Sequence, residues 1–154
     1  MNLNETSCFK LFSKIQKNVI SALGREPRSH HDDFSEVIEC RAWLIFRLDL
    51  LLFTYREEVD PLRMVLTGRR SLNSYLASKK GVPLHIGSTY SLDDVMVLLF
   101  DEISNFPIEE RISNYLQLQS EYQLPERRLT ELADGYREFH DAEWDPELAD
   151  QRLL

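Results

Sequence analysis

The stretch from residue 33 to residue 57 constrains the fold more than any other part of the chain. Between Ala42 and Phe53 the side chains are apolar at nearly every position, and only Arg47 and Asp49 interrupt them. A helix that is apolar on every face belongs at the centre of a protein, where other helices cover its sides. Its uninterrupted apolar runs are too short for a membrane span, which needs about 20 apolar residues. The sequence therefore predicts a buried central helix over 33–57.

Amphipathic patterns flank this central helix on both sides. Apolar residues recur at the helical steps of three and four, and the 154 residues include only five glycines and six prolines to interrupt them. Start and stop signals stand at Gly24, Asp60-Pro61, Gly81 and Ser91. Residues 82–90 are the least helical and are expected to form a loop or a short extended segment. The predicted helices are 9–23, 33–57, 61–80 with a break or bend at Gly68, 91–105, 107–122 and 125–141.

These elements predict an all-α fold, a compact single-domain bundle of about six helices that spans 1–154 and includes an acidic C-terminal helix. No internal repeat or long linker divides the chain. The tail after residue 141 is expected to be partly ordered, with Trp144 and Leu148 holding it against the bundle.

The charge of the chain, −8 in total, is concentrated near the C-terminus. Between Glu126 and Asp150 there are nine acidic residues and three basic ones. Such a balance favours a partner with a basic surface and disfavours anionic membranes and nucleic acid. We therefore expect a non-enzymatic protein-binding module, of the kind represented by immunity proteins and other acidic inhibitors that sequester a toxin or an effector. The residues expected to contact the partner are Glu131, Asp134, Tyr136, Glu138 and Trp144.

The segment from residue 61 to residue 92 has the opposite charge, with five basic residues and no acidic one. Two short helical pieces around Gly68 resemble a helix-turn-helix, whose second helix would present basic and polar side chains to bases and phosphates. The alternative function is therefore a nucleic-acid-linked regulator, which the acidic total disfavours. Its contact residues would be Arg69, Arg70, Lys79 and Lys80. Whether the two charged segments face separate partners or neutralise each other stays open.

The remaining polar clusters give weak signals for chemistry. His30–Asp33 contains metal-ligand types, but adjacent residues seldom converge on one ion, and the same residues suit a polar loop and a helix cap. Arg47 and Asp49 point to different faces of the central helix and are expected to be structural ion-pair residues. The candidate partners for them are Glu36, Glu39, Asp101 and Glu102. His85 has no nucleophile motif near it. By elimination we expect no enzyme activity, metal or cofactor, and an enzyme that uses Asp49, His85 or the 30–33 cluster is the third alternative.

The two cysteines, Cys8 and Cys40, lack a CxxC spacing, and the first residues lack the pattern of a signal peptide. We expect both to be free thiols in a cytoplasmic protein. The apolar content of 33–57 and 95–103 exceeds what one helix face needs. A homodimer is therefore an alternative to the compact bundle core that we favour.

Overall fold

A computed structural model describes residues 3–26, 33–119 and 138–154, and all regular structure within these ranges is helical. The all-α prediction is confirmed, and the number of helices is close to the six expected. The described helices are α1 (Glu5–Leu23), α2 (Asp33–Val59), α3 (Arg69–Lys80), α4 (Leu84–Gly87), α5 (Leu92–Leu98), α6 (Phe100–Ser104), α7 (Glu110–Gln119), the 3-10 helix η1 (Asp141–Glu143) and α8 (Leu148–Leu153). In these ranges no helix is both long enough and apolar enough to cross a membrane.

The core is centred on α1 and α2. The ring of Phe12 lies 4.8 Å from the Trp43 ring and 5.7 Å from the Phe46 ring, measured between centroids. One turn further along α1, Gln16 donates a hydrogen bond to Glu39 at 2.7 Å. Because later residues of α1 meet earlier residues of α2, the two helices run antiparallel. Buried side chains occur along most of the length of α2, which confirms the predicted central helix.

Several predicted helix boundaries are confirmed. Gly24 ends α1 with a φ of +68°, and its N–H bonds to the carbonyls of the last turn. Gly81 ends α3 with the same φ, a left-handed conformation that glycine adopts without steric cost. At the start of α5, Ser91 and Asp94 bond each other's backbone N–H groups in a capping box. These signals act over three to five residues, so the local sequence suffices to predict them.

The prediction that a helix begins at Asp60-Pro61 is wrong. Residues 60–68 form a loop, and α3 begins only at Arg69. The carboxylate of Asp60 accepts hydrogen bonds from three consecutive backbone N–H groups, those of Met64 at 3.0 Å and of Val65 and Leu66 at 2.8 Å each. An aspartate can satisfy consecutive N–H groups in a loop as well as at a helix start, which explains the error.

Three other boundaries differ from the prediction. Residues 82–90 contain the helical turn α4 instead of being entirely loop or extended, and the predicted helix 91–105 is divided at Leu99 into α5 and α6. The predicted helix 107–122 begins only at Glu110. Most of the predicted helix 125–141 lies outside the described residues, but it does not extend to 141. The N–H groups of Phe139 and His140 bond to carboxylates instead of helical carbonyls.

Candidate functional site

The C-terminal segment, defined here as residues 138–154, lies against α1 and α2 through η1 and α8. Three buried side chains of α2 bind it: Arg41, Asp49 and Arg56. They follow one another along the helix at steps of eight and seven residues. Because such steps are close to two whole helical turns, the three side chains share one side of α2.

Arg41 makes the most extensive of these contacts. Its Nε and Nη2 donate to the two carboxylate oxygens of buried Glu143 at 2.6 and 2.7 Å. Nη2 also donates to the carbonyl of Glu138 at 2.6 Å, and the guanidinium lies 4.3 Å from the centroid of the Phe139 ring. Glu143 accepts a further bond from the N–H of His140 at 2.6 Å. A bidentate pair of this kind fixes orientation as well as position.

Asp49, in the middle of α2, accepts a hydrogen bond on Oδ1 from the indole N–H of Trp144 at 2.9 Å. Only 2% of Asp49 is exposed, and its Oδ2 has no hydrogen-bond partner among the described residues. Burial raises the pKa of Asp49 to about 7, and the indole bond and the charge of Arg56 offset part of that rise. The site therefore holds a carboxyl group that titrates near neutrality.

The third contact joins Arg56 to Asp150 at the end of the chain. Arg56 Nη1 donates to Asp150 Oδ2 at 2.6 Å, and the arginine is almost fully buried. Burial lowers the pKa of Arg56, while the charge of Asp150 opposes that change. Arg63, in the loop after α2, lies 3.7 Å from the other carboxylate oxygen of Asp150. Asp150 thus connects the C-terminal segment to both α2 and the following loop.

The start of α5 binds the other end of the C-terminal segment. The N–H of Phe139 donates to Asp93 at 2.9 Å, and the N–H of Leu92 donates to Asp141 at 2.8 Å. Trp144 and Leu148 are both buried, which confirms that these two residues hold the tail against the bundle. The segment is therefore fixed to α2 and α5 along its length.

The five residues predicted to contact a partner differ in whether the structure describes them and in whether they are exposed. Glu131, Asp134 and Tyr136 lie outside the described residues. Glu138 is exposed. Trp144 is only 8% exposed, and its indole is bonded to Asp49. Its ring therefore anchors the C-terminal segment internally and is not presented on the surface. The exposed carboxylates of the segment are those of Glu138, Asp141, Asp145 and Glu147.

The four basic residues of the alternative prediction are not all available to a ligand. Arg69 donates to the carbonyls of Gly87 and Tyr90 at 2.9 and 2.8 Å, and Lys80 pairs with Glu102. Arg70 and Lys79 are exposed. The first helical piece of the supposed helix-turn-helix is the loop 60–68. Arg69 and Lys80 therefore hold α3 against the segment 87–90 and against α6.

The other polar candidates form no reactive cluster in the described part of the chain. His30, His31 and Asp32 lie outside it, and within it no three His, Cys, Asp or Glu side chains are placed to hold a metal ion. His85 is exposed on α4.

Arg47 and Asp49 do not find the partners expected from the sequence. Asp49 is bonded to an indole instead of a charged side chain. Of the candidate carboxylates, Glu39 is bonded to Gln16 and Glu102 to Lys80. Among the described residues no carboxylate pairs with Arg47.

Arg41, Arg56 and their carboxylate partners are not among the residues predicted from the sequence. The regular spacing of these arginines with Asp49 was a usable signal, since polar residues that share one side of an apolar helix need a common polar neighbour. Their partners, however, lie more than ninety residues away in the chain, and no local pattern connects them.

In comparisons with known proteins, no family model, no curated protein and no solved structure matches this chain.

Proposed function

We propose that the protein is a non-enzymatic, cytoplasmic binding module of the acidic inhibitor or immunity type, which sequesters another protein through that protein's basic surface. The observation that carries this proposal is the fixed position of the acidic C-terminal segment. Its buried contacts with α2 leave Glu138, Asp141, Asp145 and Glu147 exposed on an ordered backbone.

An ordered acidic surface binds a basic partner better than a loose acidic tail does. Ordering a segment on binding costs free energy, and a segment that is already held in place avoids that cost. The uneven charge also accelerates association with a partner of opposite sign. Within the C-terminal segment the only Lys or Arg is Arg152, so the exposed carboxylates are not neutralised from within the segment itself.

The test begins with a pull-down that uses the native protein as bait at about physiological salt, followed by mass spectrometry. The proposal expects one basic protein at stoichiometric amount. The bait is then changed by Glu138→Lys, Asp145→Lys and Glu147→Lys. A matched control carries Glu26→Lys, Asp101→Lys and Glu110→Lys, three exposed acids elsewhere. Both variants change the net charge equally.

The expected result is that the control retains the basic protein and the C-terminal variant loses it. Equal retention by the two variants would refute the proposal. If only nucleic acid is captured, with steep salt dependence and loss on changing Arg70 and Lys79, the nucleic-acid-linked regulator replaces the inhibitor.

A further inference from the structure

The loop after α2 exposes an unusual number of apolar side chains. We define the apolar loop as residues 59–65, that is, the last residue of α2 and the first six residues of the loop that follows it. Leu62 is 80% and Met64 77% exposed, and Val59 and Val65 are each more than half exposed. Single exposed apolar residues are common on protein surfaces, whereas several within one short stretch mark an interaction site.

The apolar loop is held in a defined conformation. Besides the three N–H groups that bond to the Asp60 carboxylate, the N–H of Arg63 bonds to the Asp60 carbonyl at 3.0 Å. The Arg63 side chain donates back to the carbonyl of Pro61 at 2.8 Å. Arg63 has a φ of +51°, which side chains other than glycine seldom adopt. These contacts fix the direction in which the loop's side chains point.

In this loop the charged side chain packs against the protein and the apolar side chains face solvent, which is the reverse of the usual arrangement. The guanidinium of Arg63 lies 4.8 Å from the centroid of the Phe53 ring, close to Glu57 and Asp150. The charged residue therefore packs against the protein, while Leu62 and Met64 on either side of it extend into solvent. Such an arrangement gains nothing for the isolated molecule, since apolar area in water is unfavourable.

Carboxylates lie at both ends of the apolar loop. Glu58 precedes it and is exposed, and it forms no ion pair among the described residues. Three residues beyond the other end, the Glu147 carboxylate lies so close to Gly68 that any side chain at position 68 would collide with it. Glu147 belongs to the exposed acidic group of the C-terminal segment. This contact, together with the approach of Arg63 to Asp150, places the end of the acidic segment next to the apolar loop, although the exposed Arg70 adds a positive charge two residues after Gly68.

From this juxtaposition we propose that the apolar loop is the docking site for an amphipathic segment of the basic partner, with apolar side chains flanked by Lys or Arg. The inference rests on the proposed function and deepens it. The partner's apolar residues cover Leu62, Met64 and Val65, and its basic residues meet Glu58 and Glu147. The buried apolar contact supplies affinity, and the carboxylates supply orientation.

Two designed helical peptides of equal length test this chemistry. Both carry the same stripe of leucines, flanked by Lys in one and by Glu in the other. Each is titrated into the full-length protein with ¹³C-labelled methyl groups, observed by NMR. We expect the Lys peptide to shift the methyl signals of the apolar loop, and the Glu peptide to leave them unchanged.

The variant Leu62→Ser, Met64→Ser, Val65→Ser is expected to weaken binding of the Lys peptide by at least about tenfold. The thermal unfolding midpoint should not change, because all three side chains are exposed. A control with Val97→Ser and Leu118→Ser, two exposed apolar residues on α5 and α7, should bind as the native protein does. The variant Glu58→Gln, Glu147→Gln should make binding less dependent on salt.

Equal binding of the two peptides, shifts confined to other methyl groups, or unchanged affinity of the serine variant would each overturn the proposal. A dimer that disappears in the serine variant would assign the surface to a second copy of this chain instead. A partner retained by the serine variant but lost on reversing the C-terminal carboxylates would refute only the docking site. Retention by both variants would refute the proposed function as well.

Discussion

The buried carboxyl of Asp49 should make the protein less stable as the pH rises. Its pKa in the folded protein is about 7, compared with the usual 3.8. The folded state thus holds the proton more tightly than the unfolded chain, so stability is lost as the pH rises between about 4 and 7. A difference of about 3 pKa units corresponds to about 4 kcal/mol.

The replacement Asp49→Asn removes this titration and keeps an oxygen that accepts the Trp144 indole bond. The amide also buries an N–H₂ group without an evident partner, a cost that does not depend on pH. We therefore expect the free energy of unfolding of the variant, relative to the native protein, to increase by about 4 kcal/mol between about pH 4 and pH 8. Urea unfolding followed by circular dichroism at several pH values measures this difference.

The exposed aspartate Asp101 provides the matched control, because Asp101→Asn removes one carboxylate without changing the buried site. The carboxyl ¹³C signal of Asp49 gives its pKa independently and should titrate near neutrality. A stability difference between Asp49→Asn and native protein that is the same at about pH 4 and about pH 8 would refute a raised pKa for the buried carboxyl.

Three further predictions concern other buried or bonded groups. Arg41→Met leaves Glu143 buried without its partner and should cost about 3–5 kcal/mol in denaturant unfolding; the added change Glu143→Leu should recover much of it, and no recovery would contradict the pairing. Asp60→Ala should accelerate hydrogen exchange at the three loop amides bound to its carboxylate, whereas unchanged rates would show that the loop is held by other contacts. Burial raises the pKa of Cys8 to about 11, so it should react with a thiol reagent at about pH 8 only at the rate of unfolding.

The parts of the fold that the sequence predicted correctly are those with local causes. The αL stop at Gly24 and the capping box at Ser91 each involve a few neighbouring residues. The central helix followed from its apolar content, since a helix with no polar face has no stable place except the interior. The error at Asp60 is also local in origin, because the same carboxylate chemistry serves helix starts and loops.

The contacts that shape the candidate site are long-range, and the sequence showed only one side of them. Asp49 was recognised as a polar residue within an apolar helix that needed a partner. The sequence predicts a charged partner for it, whereas the structure supplies the indole N–H of Trp144, ninety-five residues further along the chain. Trp144 lies in an acidic stretch of the sequence, where an aromatic residue can either be exposed as a contact for a partner or be buried against the protein's own core. Nothing in its neighbours decides between the two.

The burial of Trp144 changes which groups can contact a partner. A surface aromatic anchor was expected, but the ring now holds the C-terminal segment in place through Asp49. Three polar contacts along α2 are a costly way to attach a segment, because apolar residues would often give equal or greater stability. Directional contacts nevertheless specify one position and one orientation of the segment, and they thereby fix Glu147 near the apolar loop. The anchoring role expected of Trp144 is therefore better matched by Leu62 and Met64, which are exposed.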